Sequence, residues 1–84
     1  MERIIAKFTG KVVQVQGSVV DVAYADGELP GLFESIEIER EGETPLVLEV
    51  QKHLGDNWVR TVAMDTTDGL RRGVDAVSNG ATIK

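Results

Sequence analysis

Apolar and polar residues alternate over short stretches along most of the chain. Val20, Val22 and Tyr24 occupy every second position, and Asp21 lies between the first two. Because side chains two positions apart on a β-strand point to the same face, this spacing predicts strands with one apolar face. The stretches that alternate in this way, or that run β-branched, are Gly10–Val15, Ser18–Tyr24, Ile36–Glu39, Leu46–Gln51, Trp58–Met64 and Val74–Lys84, the last with Ile83 in a terminal strand.

Glycine, proline and acidic residues separate these stretches. They predict turns or loops at Asp26-Gly27, Leu29–Leu32, Arg40–Thr44, His53–Asn57, Asp65–Gly73 and Ser78-Asn79-Gly80. No stretch sustains the period of about 3.6 residues that is typical of a helix. Strands at a spacing of roughly ten residues predict an all-β fold, a small six-stranded antiparallel closed β-barrel, because closure removes exposed strand edges. Periodicity alone leaves a β-sandwich open as an alternative.

The chain has the length of one domain. Its 84 residues predict a single β-barrel domain over residues 10–84, after an N-terminal extension over residues 1–9 that leads into the first strand. The composition, with 42% hydrophobic and 27% charged residues, is that of a soluble globular protein. The start of the chain lacks the apolar stretch of a secretory signal, which predicts a cytosolic or already processed protein.

The charge balance and the missing cysteines restrict the partners. Nine basic residues against 14 acidic ones give a net charge of -5, which disfavours nucleic acid as a partner because its binding depends on neutralising phosphates. No apolar run reaches the roughly 18 residues of a membrane span, so direct membrane insertion is not expected. The chain has no cysteine, which excludes disulfides, thiolate metal sites and thiol nucleophiles.

The sequence contains no recognisable catalytic or cofactor motif. Gly10-Lys11 suggests a phosphate-binding loop, but Ile5 and Val12 stand where that motif needs glycine and serine or threonine. His53 is the only histidine, so the chain cannot supply a histidine pair for zinc, and we expect a solvated side chain beside a turn. The hydroxyls that a serine hydrolase would need come from Ser18, Ser35 or Ser78, and no spacing brings any of them to the histidine.

The longest predicted loop carries acidic residues that could hold a divalent cation. Asp65 and Asp68 flank two threonines there, without the ligand spacing of a calcium loop. We therefore expect Asx-type turns to the local backbone, with Arg71 and Arg72 as nearby counter-charges. The sequence thus predicts no catalytic residue, no metal site and no cofactor.

Two groups of residues are candidates for contact with another protein. Trp58 opens a predicted strand beside a polar turn, where it either packs in the core at the mouth of the barrel or anchors a partner at the surface. We take it as the candidate interface residue. A series of glutamates flanks the predicted hairpin and would keep that face soluble, or would contact a basic partner. These glutamates are Glu37, Glu39, Glu41, Glu43 and Glu49.

Several short motifs occur in an order that resembles one protein family. They are GKVVQVQGSVVDV at 10–22, LP at 29–30, LVLEV at 46–50, HLG at 53–55, VRTVAMD at 59–65, DGL at 68–70 and RG at 72–73. Over about residues 10–83 the chain looks like the N-terminal β-barrel domain of the F-type ATP synthase beta subunit. It departs from the family at Trp58, where a small or hydroxyl residue is common, and at Thr82, where proline is usual.

The resemblance implies a role in assembly. In that family a six-stranded antiparallel barrel precedes the nucleotide-binding domain, and the barrels of alternating alpha and beta subunits pack side by side in a ring. The phosphate-binding loop, the catalytic glutamate and the adenine contacts follow the barrel, so the resemblance implies no ATP hydrolysis by this chain. The parent complex, which couples ATP synthesis to proton transport, lies on the cytoplasmic face of a bacterial membrane or the matrix or stromal face in an organelle.

Two further expectations concern ligands and self-association. An OB-like barrel that binds an oligonucleotide or a small ligand is the alternative function. It needs aromatic residues on a basic face, whereas this acidic chain has only Phe8, Tyr24, Phe33 and Trp58. A barrel from a ring carries side surfaces that meet neighbours, so we also expect weak self-association of the chain alone.

Overall fold

The structure, a computed structural model, describes residues 8–82, with side chains described as far as Ser78. All regular structure in this range is strand, and no helix occurs in it. The six strands are β1 (Phe8–Gln16), β2 (Val19–Ala23), β3 (Glu34–Ile38), β4 (Leu46–Gly55), β5 (Trp58–Ala63) and β6 (Asp75–Thr82). The all-β prediction is confirmed.

The strands form one closed barrel. Their order around the wall is β1-β2-β5-β4-β3-β6, and β6 returns to β1. Every neighbouring pair is antiparallel. Closure leaves no unpaired strand edge, which is the property that favoured a barrel at the sequence level. The predicted six-stranded antiparallel closed barrel is therefore confirmed, and the sandwich alternative is excluded.

The core lies inside the barrel and consists of the residues that alternate inward. Val20, Val22 and Tyr24 are buried as their spacing predicted, and Leu48 and Val50 on β4 are fully buried. The other buried apolar residues of the core are Val12, Ile36, Ile38, Leu46, Val59 and Ala76. Most of these core residues are branched aliphatic, as is usual for a small barrel whose interior is occupied by side chains.

A long loop between β2 and β3 closes one end of the barrel. Pro30 in this loop is among the fully buried residues, and Leu29 packs against the core. Two contacts hold the loop to β4: the Phe33 N–H donates to the Val50 carbonyl at 2.8 Å, and His53 Nε2 lies 2.8 Å from the Pro30 carbonyl oxygen. The predicted irregular segment around Pro30 is thus confirmed, and Leu29 and Pro30 anchor it to the core.

The loop between β5 and β6 closes the opposite end. The Gly73 N–H donates to the Val12 carbonyl at 2.7 Å, and the Val12 N–H donates to the Val74 carbonyl at 3.0 Å. Leu70 and Val74 pack against the core from this side. Both ends of the barrel are therefore covered by the chain itself.

Two predicted turns are wrong in position. Ser78-Asn79-Gly80 lies within β6, because β1 and β3 on either side supply the hydrogen bonds that a turn would forgo. The turn predicted at His53–Asn57 is shorter, since β4 continues to Gly55 and only Asp56 and Asn57 connect it to β5. Both connecting residues have positive φ, at 55° and 63°, as a tight two-residue hairpin requires.

The first strand begins earlier than predicted, at Phe8 instead of Gly10. Phe8 and Thr9 pair with Ser78 and Val77 of β6. The predicted place of Ile83 in the last strand, and residues 1–7 of the predicted extension, lie outside the described residues. The division into an extension and a barrel domain stays a prediction.

Candidate interaction surface

The few polar groups inside the barrel are paired with the backbone or with each other. Thr61 Oγ1 donates to the Val20 carbonyl at 2.8 Å, and the Tyr24 hydroxyl donates to the Ala76 carbonyl at 3.1 Å. Burial, reinforced by the nearby Glu34 carboxylate, raises the pKa of Tyr24 far above its ordinary value of about 10. The phenol is therefore a neutral structural donor.

Within residues 8–82, Lys11 and His53 do not form a catalytic arrangement. Lys11 is exposed and pairs with Asp75 across the β1–β6 ladder. His53 Nε2 contacts a carbonyl, which only accepts hydrogen bonds, so this nitrogen carries a hydrogen and donates. The histidine is exposed as predicted, but it belongs to β4 and holds the β2–β3 loop. Its hydrogen bond goes to the backbone rather than to a serine or a carboxylate.

The acidic loop after β5 is organised by its own backbone. The Thr66 N–H donates to Asp65 Oδ1 at 2.7 Å, and the Asp68 N–H donates to Thr66 Oγ1 at 3.2 Å. The expected local bond is confirmed for Asp65. Its counter-charge is Arg40, with Nη2 at 3.7 Å from Oδ2, and not the neighbouring arginines. Among the residues that the structure describes, no three His, Cys, Asp or Glu residues are grouped as metal ligands would be.

A cleft of about 290 Å³ separates this loop from the β3–β4 hairpin. Arg40 lies in its wall and already contacts three acceptors: the Thr44 carbonyl at 3.0 Å, Glu43 at 3.8 Å and Asp65. Most of the other polar lining residues are acidic or hydroxylic. Arg71, which is exposed, also lines the cleft. Among the described residues the cleft has no grouped set of ligands for a cation.

Trp58 lies on the outer wall at the start of β5. Its register partners are Ala23 on β2 and Gly55 on β4, and its side chain remains 39% exposed. Cross-strand neighbours normally cover one another on a sheet face, but a methyl group and a hydrogen atom cannot cover an indole ring. Trp58 is not part of the core, so the core-packing alternative is wrong. Its role at an interface stays a prediction.

Arg60 follows on the same face and is held by a buried carboxylate. Its Nε and Nη2 donate to Asp21 Oδ1 and Oδ2 at 3.0 and 3.1 Å. The Asp21 side chain is only 4% exposed, whereas that of Arg60 is 46% exposed. The hydrogen bonds and the charge of Asp21 raise the pKa of Arg60. Asp21 lies on the outer face, as predicted, but Arg60 was not recognised as its partner, because 39 positions separate them in the chain.

The glutamates around the β3–β4 hairpin form an acidic surface. Glu37, Glu39, Glu41 and Glu43 are exposed, as expected for a face kept soluble by charge. Glu49 is half-buried on β4 and accepts a hydrogen bond from Gln51 Nε2 at 2.6 Å. The sequence therefore predicted the exposure of four of the five glutamates.

The fold and surface define a small closed antiparallel β-barrel domain with a filled interior. The family model described as "ATP synthase alpha/beta family, beta-barrel domain" matches residues 12–80. The chain belongs to that family, whose barrel is a non-catalytic part of ATP synthase subunits. The match confirms the resemblance at the level of the family and does not separate alpha from beta subunits. In residues 8–82, no helix is long and apolar enough to cross a membrane.

The positions of the aromatic residues do not support the alternative of an OB-like ligand-binding barrel. Tyr24 points into the core, where a ligand cannot reach it, and Phe8 is half-buried. Phe33 and Trp58 are exposed, but Phe33 lies in the β2–β3 loop and Trp58 on the wall. A stacking platform needs several aromatic rings on one basic face.

Proposed function

We propose that this chain is the N-terminal barrel domain of an F-type ATP synthase beta subunit, and that it mediates assembly of alpha and beta subunits into the catalytic hexamer. The observation that carries the proposal is the closed barrel that matches this family over residues 12–80. Trp58, exposed on its wall at a position where the family commonly has a small or hydroxyl residue, is the candidate contact specific to this chain. Tryptophan is strongly enriched at the energetic centres of protein interfaces. Because the core side chains are buried inside the barrel, a partner protein would contact the outer wall.

The assignment to the beta subunit rests on the motif series. The HLG motif at 53–55, VRTVAMD at 59–65 and DGL at 68–70 belong to the series that resembles the barrel of the beta subunit. The parent complex would couple ATP synthesis to proton transport at the cytoplasmic face of a bacterial membrane, or at the matrix or stromal face in an organelle. This chain would act there as a soluble, peripheral part of the complex.

Assembly is tested by mixing the chain with an F-type alpha subunit and measuring the complex mass by light scattering after size exclusion. The proposal expects a mixed complex, weakened by Trp58→Ala but not by Met64→Ala. Met64 is a matched control because it is also an exposed apolar residue, 51% exposed, just past the other end of β5. No complex with an alpha subunit, or equal loss in both variants, would contradict the assembly role.

We further propose that the chain has no ATPase activity of its own. Phosphate release from ATP by the purified chain should equal that of a buffer blank. Activity above the blank that co-elutes with the chain, and that disappears when the chain is unfolded, would refute this part of the proposal.

A further inference from the structure

An exposed surface with an indole ring and two basic side chains lies on the outer wall around β5. We define the Trp58–Arg60 surface as Trp58 and Arg60 on β5 with their neighbours Ala23, Gly55 and Lys52. Trp58 pairs in register with Ala23 and Gly55, and Arg60 pairs with Lys52. Trp58 and Arg60 are two positions apart on one strand, so both side chains leave the same face.

Arg60 is fixed for binding before any partner arrives. Two of its nitrogens, Nε and Nη2, are engaged by Asp21, and within the described residues no hydrogen bond uses Nη1. Arginine loses much rotamer entropy on binding, and the fork to Asp21 has already restricted those rotamers. The Arg60 side chain is 46% exposed, so Nη1 is a pre-oriented donor for a carboxylate from outside, next to the partly exposed Trp58 ring.

The same chain carries a matching acidic surface. We define it as Glu37, Glu39 and Glu41, on β3 and the β3–β4 hairpin, all exposed. The register partner of Glu37 on β4 is Val47, five positions before Lys52, which is about 16 Å along the strand. The two surfaces therefore lie apart on one barrel and cannot satisfy each other within one chain.

We propose that a second copy of this chain docks its acidic surface on the Trp58–Arg60 surface. This inference rests on the proposed assembly role, because both need the outer wall to bind protein. The contact is heterologous, so each copy keeps one free surface of each kind and further copies can add. The net charge of -5 on each copy opposes the association, which is therefore weak, with a dissociation constant on the order of 0.1 mM.

Sedimentation equilibrium over a wide concentration range tests the proposal. The mean mass should rise with concentration, and Trp58→Ala should raise the dissociation constant by about thirtyfold, while Met64→Ala leaves it unchanged. Lys52→Glu, a change at an exposed position of the same surface, should weaken association in the same direction. Thermal unfolding of each variant shows whether it is folded.

The acidic surface is tested by reversing two of its charges. Glu39→Lys with Glu41→Lys should abolish association. The matched control, Glu28→Lys with Gln16→Lys and Ser18→Lys, changes the net charge equally at positions outside both surfaces and should associate at least as well as the unchanged chain. If the control and the test variant behave alike, net charge alone governs association and the proposal is wrong.

A mixing experiment distinguishes a heterologous contact from a symmetric one. Trp58→Ala chains keep the acidic surface, and Glu39→Lys/Glu41→Lys chains keep the Trp58–Arg60 surface. Mixed in equal amounts, they should form dimers and nothing larger. If mixing restores no dimer, or the unchanged chain stays monomeric at millimolar concentration, self-docking is overturned. If the chain stays monomeric but binds an alpha subunit through Trp58, the partner of this surface is a different protein. Self-docking is then wrong, and the assembly role is retained.

Discussion

The Arg60 guanidinium donates to both carboxylate oxygens of Asp21, at 3.0 and 3.1 Å, on the outer wall of the barrel. Asp21 is 3% exposed, so the arginine supplies the hydrogen bonds that water would otherwise make. Removing one partner of such a pair leaves a buried charge without compensation, which costs more than the pair itself contributes.

Arg60→Ala should therefore lower the melting midpoint, by roughly 5 °C or more for a domain of this size. The double variant Arg60→Ala/Asp21→Ala should recover part of the lost melting midpoint, because it no longer contains a buried carboxylate without a partner. Differential scanning calorimetry of the two variants and the unchanged chain checks this. A double variant with a melting midpoint at or below that of Arg60→Ala would contradict it.

Tyr24 should make the barrel sensitive to alkali. Its pKa is raised in the folded state by burial and by Glu34, whereas in the unfolded chain it is about 10. Below pH 10 the phenol is neutral in both states. Above it the unfolded chain loses the proton first, so the free energy of unfolding falls as pH rises.

Tyr24 is the only tyrosine, so absorbance at 295 nm reports this group alone. Tyrosinate should form together with the loss of the β-sheet circular dichroism signal, and not before it. Tyrosinate formation near pH 10 with the sheet intact would be the contrary result. Tyr24→Phe should remove this alkaline transition, at a cost of about 1 kcal/mol for the lost hydrogen bond to Ala76.

Gly10 should not tolerate a side chain. A Cβ there would lie 2.6 Å from the Ala23 carbonyl oxygen and 2.8 Å from ring atoms of Tyr24. Gly10→Ala should lower the free energy of unfolding by about 2 kcal/mol, because backbone and a packed ring must move. At Gly31, where the nearest atom is the flexible Glu34 carboxylate at 3.0 Å, the same change should cost much less. Urea unfolding of both variants gives the comparison, and equal losses would refute the steric explanation.

Replacing Phe33 with glycine should stabilise the barrel. The φ of Phe33 is 67°, in the left-handed region, and its side chain is 54% exposed. That conformation costs a bulky residue about 1–3 kcal/mol, while glycine costs about 0.5–1 kcal/mol in chain entropy. Phe33→Gly should raise the melting midpoint by a few degrees, and Leu32→Gly, at a position without positive φ, should lower it. A lower midpoint for Phe33→Gly would show that the exposed ring stabilises the barrel.

The sequence predicted the elements better than their ends. Alternation located Val20, Val22 and Tyr24 in the core, because burial of one strand face is encoded locally. The turn at Ser78-Asn79-Gly80 was predicted from local turn propensity, but β6 continues through it because two neighbouring strands pair with it. Such pairing depends on residues far away in the chain, and a local pattern carries no record of it.

The surface was predicted only in part for the same reason. Trp58 was recognisable as a candidate from its residue type alone. Its exposure depends on the small size of Ala23 and Gly55, which become its neighbours only through the β2–β5–β4 register. The pairing of Asp21 with Arg60 also follows from that register. No motif in the sequence relates these positions.

Strand β6 has a consequence for synthesis of the protein on the ribosome. It completes the wall by pairing with both β1 and β3, although it is translated after the other five strands of the barrel. In a nascent chain that has emerged only as far as β5, β1 and β3 are present, but each has an unpaired edge where β6 will bind. The barrel therefore cannot close until residues 75–82 have left the exit tunnel, and during that interval the two open edges are where a chaperone or a neighbouring nascent chain could bind.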